Sequence, residues 1–479
     1  MAISLKKQVL SGLAWRGSTD IIQQVLQIVF TIILARLLSR GDFGLVAMAL
    51  LVNRFVRSVS NVSFGTAIIQ SQDITKEQIS AIFIIQTSLN VVLTAIIYFG
   101  AELAAGFFNE MQLVPVLQAL SLLVLFQSLQ FPNLLLQKNM HFKSFSIAQI
   151  ISMLIANVIA VILAFTGYGL WSLVWRLILQ NLIFGLLSFY LGKWIPSQPS
   201  FKGLKPLMFF GFNLLGRNIF YFFAENMIGL MTGRYLGKDT MGLFNIAYNL
   251  AIVPASKIQN VLSSVMTPGF SKIQNNILKF RENFKIALNY TSLAFIPFML
   301  LLSAISTNLI PVMYGDKWEK AGVFLMVLSI VGIMRGLSHM VRTAIVSKGN
   351  TKVIFMSAVV ELVISLPIMY LLIQDYGVSG LILGYLIGAV SSLSYLVLHF
   401  DRILEKKDLF ITAIKNGLII GGIIFLLTFS LGYLEFSDMT LLVLKCLAAF
   451  IVFVSLLYYI EKELFLVIYT KLKCFFRIA

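Results

Sequence analysis

Apolar runs of twenty or more residues follow one another along the chain, separated by charged or Pro/Gly-containing loops. They predict helical spans at 11–38, 43–65, 79–100, 113–136, 146–166, 169–192, 207–235, 241–264, 286–312, 321–346, 353–373, 378–400, 411–432 and 439–460. A helix needs about 20 largely apolar residues to cross a bilayer. Barrel strands would instead alternate over segments of about ten residues, a pattern these runs lack. The expected fold is therefore an all-α integral membrane protein with about 14 transmembrane helices.

The spans repeat. Ala35-Arg-Leu-Leu-Ser-Arg-Gly-Asp-Phe-Gly-Leu45 aligns at an offset of 198 with Gly233-Arg-Tyr-Leu-Gly-Lys-Asp-Thr-Met-Gly-Leu243, matching Arg36 with Arg234, Leu38 with Leu236, Gly44 with Gly242 and Leu45 with Leu243. Further along the offset becomes 208, where Leu117, Leu120, Ser121, Leu129, Tyr168 and Gly169 meet Leu325, Leu328, Ser329, Leu337, Tyr376 and Gly377. Six spans separate the copies, so both have the same orientation and are related by an axis along the membrane normal. The expected organisation is two parallel six-helix bundles, 1–192 and 207–400. A cytoplasmic linker at 193–206 joins them, and 401–479 supplies two additional C-terminal helices and a basic tail.

Composition agrees with this reading. Hydrophobic residues make up 59% and charged residues 12% of the 479, with a mean hydropathy of +0.90. Ordinary globular chains are about 25% charged, so a soluble enzyme and a disordered chain are both excluded. The net charge of +17 is first a topology signal, not a sign of nucleic acid. Hairpin loops on one side carry Arg36, Arg40, Arg234, Lys238, Lys317 and Lys320, whereas the opposite loops and the termini carry twenty-one basic residues. That asymmetry places both termini in the cytoplasm, with the first span retained and not cleaved as a signal. Cys446 and Cys474 form no disulfide framework, and no Cys/His cluster offers a metal site. No nucleotide-binding or hydrolase motif appears, so neither enzymatic activity nor a cofactor is expected.

Ionisable residues inside spans are costly and by default face a bundle interior or a water-filled cavity. In span one Arg16, Asp20, Gln27 and Thr31 share a helical face, as do Asn213, Arg217, Tyr221 and Glu225 in span seven. Span two adds Asn53, Arg54 and Arg57, span eight adds Asn249, and Arg335 lies in span ten. These positions predict a polar central cavity biased positive. Arginine remains charged and its planar fork suits phosphate or carboxylate oxygens, which points to an anionic ligand. For Arg176, Arg342 and Lys445, snorkelling to lipid phosphates is an equally good reading. Asp20 and Glu225 are candidates for ion coupling or for pairing with the arginines, and Glu361 in span eleven is open to either role. His339 reads as a hydrogen-bonded interior histidine. Lys257 to Lys285 mixes basic and apolar residues as either a basic amphipathic helix on the cytoplasmic surface or an ordinary solvated loop does, and the tail Phe465 to Arg477 repeats the pattern; anionic lipid would attract either segment.

Four stretches together resemble Wzx-type oligosaccharide flippases of the branch near the colanic acid exporter. They are Ala35 to Ala49, Phe64-Gly-Thr-Ala-Ile-Ile-Gln70, Leu136-Gln-Lys-Asn-Met-His-Phe-Lys143 and Gly167-Tyr-Gly-Leu-Trp-Ser-Leu-Val174. Asn61-Val-Ser ahead of Phe64 departs from the family pattern, where an acid and a further glycine are expected. The resemblance implies the multidrug/oligosaccharidyl-lipid/polysaccharide superfamily. It implies as cargo an undecaprenyl-diphosphate-linked oligosaccharide, moved across the inner membrane, with polysaccharide polymerase and export machinery as partners. It also implies that spans thirteen and fourteen help form a groove for the lipid tail. Two other readings stand beside it: a drug/cation antiporter of the same superfamily, whose cavity acids would dominate, and a membrane glycan polymerase or ligase, which would usually need a large outer loop.

Overall fold

The computed structural model describes residues 5–60, 68, 74–139, 141–202, 204–404, 409–434 and 436–462. The Phe64–Gln70 motif and the basic tail lie outside these, save Ile68. Among the described residues there are helices and no strand, and ten helices are long and apolar enough to cross a membrane. The chain gathers into two compact units, Met1–Asn245 and Ile246–Ala479.

The N-terminal unit begins with α1 (Leu5–Leu37) and α2 (Arg40–Ser60). Ser39 starts α2 by a reciprocal cap, its Oγ accepting from the Asp42 amide at 3.2 Å while Asp42 Oδ2 accepts from the Ser39 amide at 2.9 Å. A capping box of Thr75 and Gln78 opens α3 (Lys76–Phe99), which short α4 (Ala101–Phe108) follows. The fourth apolar run is broken into α5 (Leu113–Leu120), α6 (Leu122–Gln127), a 3-10 turn at Ser128–Gln130 and α7 (Pro132–Lys138). Pro132 sits in the first turn of α7, where its missing N–H is tolerated. Then come α8 (Phe142–Phe165), which packs along α1, and α9 (Leu170–Gly192).

The stretch expected as a linker is held to this unit. Ser197 donates its amide to Ser80 Oγ at 2.9 Å, Gln78 Nε2 donates to the Lys202 carbonyl at 3.1 Å, and Trp194 packs on Phe83 and Phe131 with ring centroids 5.2 Å apart. After it, α10 (Lys205–Lys272) runs through two predicted spans with a break at Gly237, whose φ of 74° favours glycine. The two-unit boundary falls within α10, so its first half packs with the N-terminal unit.

In the C-terminal unit, the rest of α10 is followed by α11 (Ile277–Tyr314), α12 (Ala321–Ser347) and α13 (Thr351–Leu404), the last broken at Gly377. The basic stretch Lys257–Lys285 is no separate surface helix. It is the end of α10, a short turn and the start of α11, with Phe280 and Phe284 fully buried against Phe270. The two additional helices, α14 (Leu409–Ser430) and α15 (Asp438–Ile460), are fastened to α11 near both ends. At one end Lys445 Nζ donates to Asn308 Oδ1 at 2.7 Å and Asn308 Nδ2 to Asp438 Oδ1 at 2.6 Å. At the other, Asn289 and Asn416 both donate to Glu461 Oε1 at 2.8 Å. Lys445 is 3% exposed, so it does not snorkel.

Gly169 starts α9 at φ 52°, ψ −128°, and its repeat counterpart Gly377 breaks α13 at φ 54°, ψ −123°. This region is close to glycine-only, so the repeat seen in the sequence recurs as a backbone conformation in each unit.

Candidate functional site

In the N-terminal unit the polar positions of α2 divide by role. Asn53 is 2% exposed; its Nδ2 donates to the Ala49 carbonyl at 3.1 Å, and its Oδ1 has no hydrogen-bond partner among the described residues. Arg54 is exposed. Arg57 is half-buried and donates from Nε to Gln127 Oε1 at 3.3 Å, a neutral acceptor that leaves its charge uncancelled. Phe55 packs on Phe222 and Phe223 at 5.3 and 5.8 Å, which sets α2 against the first half of α10. Close by, Gln130 Nε2 donates to Asn181 Oδ1 at 2.9 Å and Asn90 Nδ2 to Ser128 Oγ at 2.9 Å. The broken fourth apolar run thus turns the amides of Gln127 and Gln130 toward α2 and α9 and the hydroxyl of Ser128 toward α3.

Asp20 on α1 is half-buried, and Glu225 on α10 is exposed. Arg16 and Arg217 stand on described helical turns, but their side chains lie outside the described ones, so the pairings expected of them do too.

In the C-terminal unit Asn249 is half-buried, and Arg335 meets the acid that the sequence left open. Arg335 Nη2 lies 2.9 Å from Glu361 Oε1, and its guanidinium stacks over the Tyr385 ring at 5.0 Å. Arg342, two turns along α12, reaches Glu361 Oε2 at 4.0 Å and Ser392 Oγ at 3.4 Å. The Glu361 side chain is 8% exposed while those of Arg335 and Arg342 keep 23% and 28%. One acid therefore ties α12 to the first half of α13, and Tyr385 and Ser392 add its second half.

Sequence reasoning singled out Arg335, left Arg342 between the cavity and snorkelling to lipid phosphates, and assigned no role to Gln127, Tyr385 or Ser392; the structure turns Arg342 to Glu361 and Ser392. The spacing of Arg335, His339 and Arg342 on one face of α12 was the available signal. His339 Nδ1 is buried without a hydrogen-bond partner among the described residues, unlike the bonded histidine expected. No group of three or more metal-ligating side chains occurs among the described residues.

Residues 33–323 match the family described as polysaccharide biosynthesis protein. The chain belongs to that family. It is 26% identical over 407 residues to the lipopolysaccharide biosynthesis protein WzxC of Escherichia coli strain K12, covering 83% of this chain and 82% of that protein. The Wzx-type resemblance read from the four motifs is borne out, and the protein is a multi-pass membrane protein of this family. Its fold is that of the lipid II flippase MurJ in an inward closed conformation, with a TM-score of 0.74, 18% identity and coverage of 94% of this chain and 99% of that one. An inward-facing multidrug resistance MATE family transporter shares the fold at a TM-score of 0.61 and 16% identity, covering 81% and 96%.

Proposed function

We propose that the protein moves an undecaprenyl-diphosphate-linked oligosaccharide from the cytoplasmic to the periplasmic leaflet of the inner membrane by alternating access. In this reading fourteen helices cross the membrane, both termini are cytoplasmic, and 1–192 and 207–400 are the bundles that rock about a cationic cavity. The observation that carries it is Arg57, whose partner is a neutral amide, within a chain of the polysaccharide biosynthesis family. A guanidinium that keeps its full charge at membrane depth favours an anionic group, and a diphosphate supplies one.

Arg16, Arg54, Arg57 and Arg217 receive the diphosphate, with Asn249 offering a polar contact to the sugars; Asn53, buried and bonded to its own helix, reaches them only if α2 shifts. Arg335 joins them only by exchanging Glu361 for phosphate. Asp20 and Glu225 serve coupling or pairing. Arg217→Ala is expected to abolish export of the polymer without lowering the amount of protein in the membrane. Normal export by that variant would remove Arg217 from the site. The MATE-like fold also fits a drug/cation antiporter, and drug efflux with unchanged facing of the lipid-linked oligosaccharide would favour that reading.

A further inference from the structure

The repeated stretches 35–45 and 233–243 both lie in the N-terminal unit, and there they meet each other. The meeting is mutual. A Cβ built on Gly44 would lie 1.8 Å from the carbonyl oxygen of Lys238, and a Cβ built on Gly242 would lie 2.1 Å from the carbonyl oxygen of Arg40. The repeat offset carries Gly44 to Gly242 and Arg40 to Lys238, so each copy presses its glycine against the same carbonyl of the other. Gly41 continues the pattern, because a Cβ there would lie 3.2 Å from Oδ1 of Asp239, its own counterpart. Residue i meeting j while j meets i is the signature of a two-fold interface, here formed between two copies inside one chain.

Only glycine lets the two backbones come this close. The tip of α10 is also bound to the loop after α4. Arg234 Nη1 donates to the Gly106 carbonyl at 3.1 Å and to Asn109 Oδ1 at 2.8 Å, and Lys238 Nζ donates to Gln112 Oε1 at 2.8 Å. The charge asymmetry of the loops places these tips on the outer side of the membrane. The helices leading inward from them, α1, α2 and the first half of α10, are those with the polar stripes containing Arg16, Arg57 and Arg217.

We propose that the Gly44–Gly242 interlock is a latch that holds the outer end of the transport path shut and must part for cargo to leave. This rests on the flippase reading above. A backbone contact of this kind has two discrete states, because a carbonyl seated on a glycine Cα loses its fit once the tips separate by the width of a side chain. Its closed form is the one in this structure.

The test uses the full chain with Cys446 and Cys474 replaced by serine and a cysteine pair, Gly41→Cys with Asp239→Cys, oxidised or joined by a short bifunctional thiol reagent. Export is expected to fall at least tenfold on cross-linking and to return on reduction or in either single variant. A cross-linked chain that exports normally would overturn the latch. A second measurement uses no transport readout. Gln27→Cys on α1, probed from outside with a membrane-impermeant maleimide, should label several-fold faster when Gly44→Ala holds the tips apart, and more slowly in the cross-linked pair. Labelling that ignores both changes would refute the latch even if flipping is confirmed. Labelling that follows them while the lipid-linked oligosaccharide is not moved would leave the latch and remove the flippase reading.

Discussion

Gln127 in the N-terminal unit and Arg335 in the C-terminal unit are counterparts at the repeat offset of 208, yet they do opposite things with charge. Gln127 accepts from Arg57 and leaves it cationic, whereas Arg335 is itself the cation and is matched by Glu361, whose own counterpart is the buried Met153. The backbone has not diverged in the same way, since Gly169 and Gly377 keep φ of 52° and 54°. Duplication thus preserved the turns that shape each unit while the polar side chains took separate roles. In the N-terminal unit a guanidinium is left with a neutral partner. In the C-terminal unit a nearly buried pair fastens three helical segments, and any anion reaching Arg335 competes with Glu361.

Glu361→Leu should sharpen this contrast most. It strands Arg335 beside a second cation, and breaking a buried pair costs about 3–5 kcal/mol. The Arg335→Met/Glu361→Met double variant should recover most of that loss, read as unfolding midpoints in detergent, and a single variant as stable as the parent would mean that the pair fastens nothing. Next in size are Gly169→Ala and Gly377→Ala. Each forces a side chain into a glycine backbone region at about 1–3 kcal/mol, and the two costs should agree to about 1 kcal/mol if the repeat is preserved at the backbone.

Gln127→Glu brings the C-terminal chemistry into the N-terminal unit. It should neutralise Arg57 and lower export about tenfold, about 1.4 kcal/mol, with little change in stability. Unchanged export would separate the charge of Arg57 from cargo binding. The smallest effect is expected of Ser39→Ala, which removes a helix cap worth about 1 kcal/mol, measured by thermal unfolding.

The helices were legible because burying an apolar run in a bilayer is a one-dimensional property: α8, α9, α12 and α15 begin and end within a few residues of their apolar runs. The breaks at Ser121 and Ser128–Gln130 were not, since hydropathy is blind to which backbone bond is given up, although Pro132 marked a helix start. The matched glycines at 44 and 242 were visible as a repeat, but their contact with each other's copy was not, because a repeat shows likeness and not proximity. Glu361 could not be assigned from sequence for a related reason. Its pairing with Arg335 depends on the register between α12 and α13, which helical periodicity within either element does not contain.

The most direct test of the proposed function is the facing of lipid-linked oligosaccharide in sealed membrane vesicles, read with a lectin or glycosidase that does not cross the bilayer. Vesicles from cells lacking this protein should accumulate the oligosaccharide on the cytoplasmic face, with the periplasmic pool restored by the wild-type sequence and only about a tenth as fast by Gln127→Glu. Equal distribution on both faces with and without the protein would contradict the account.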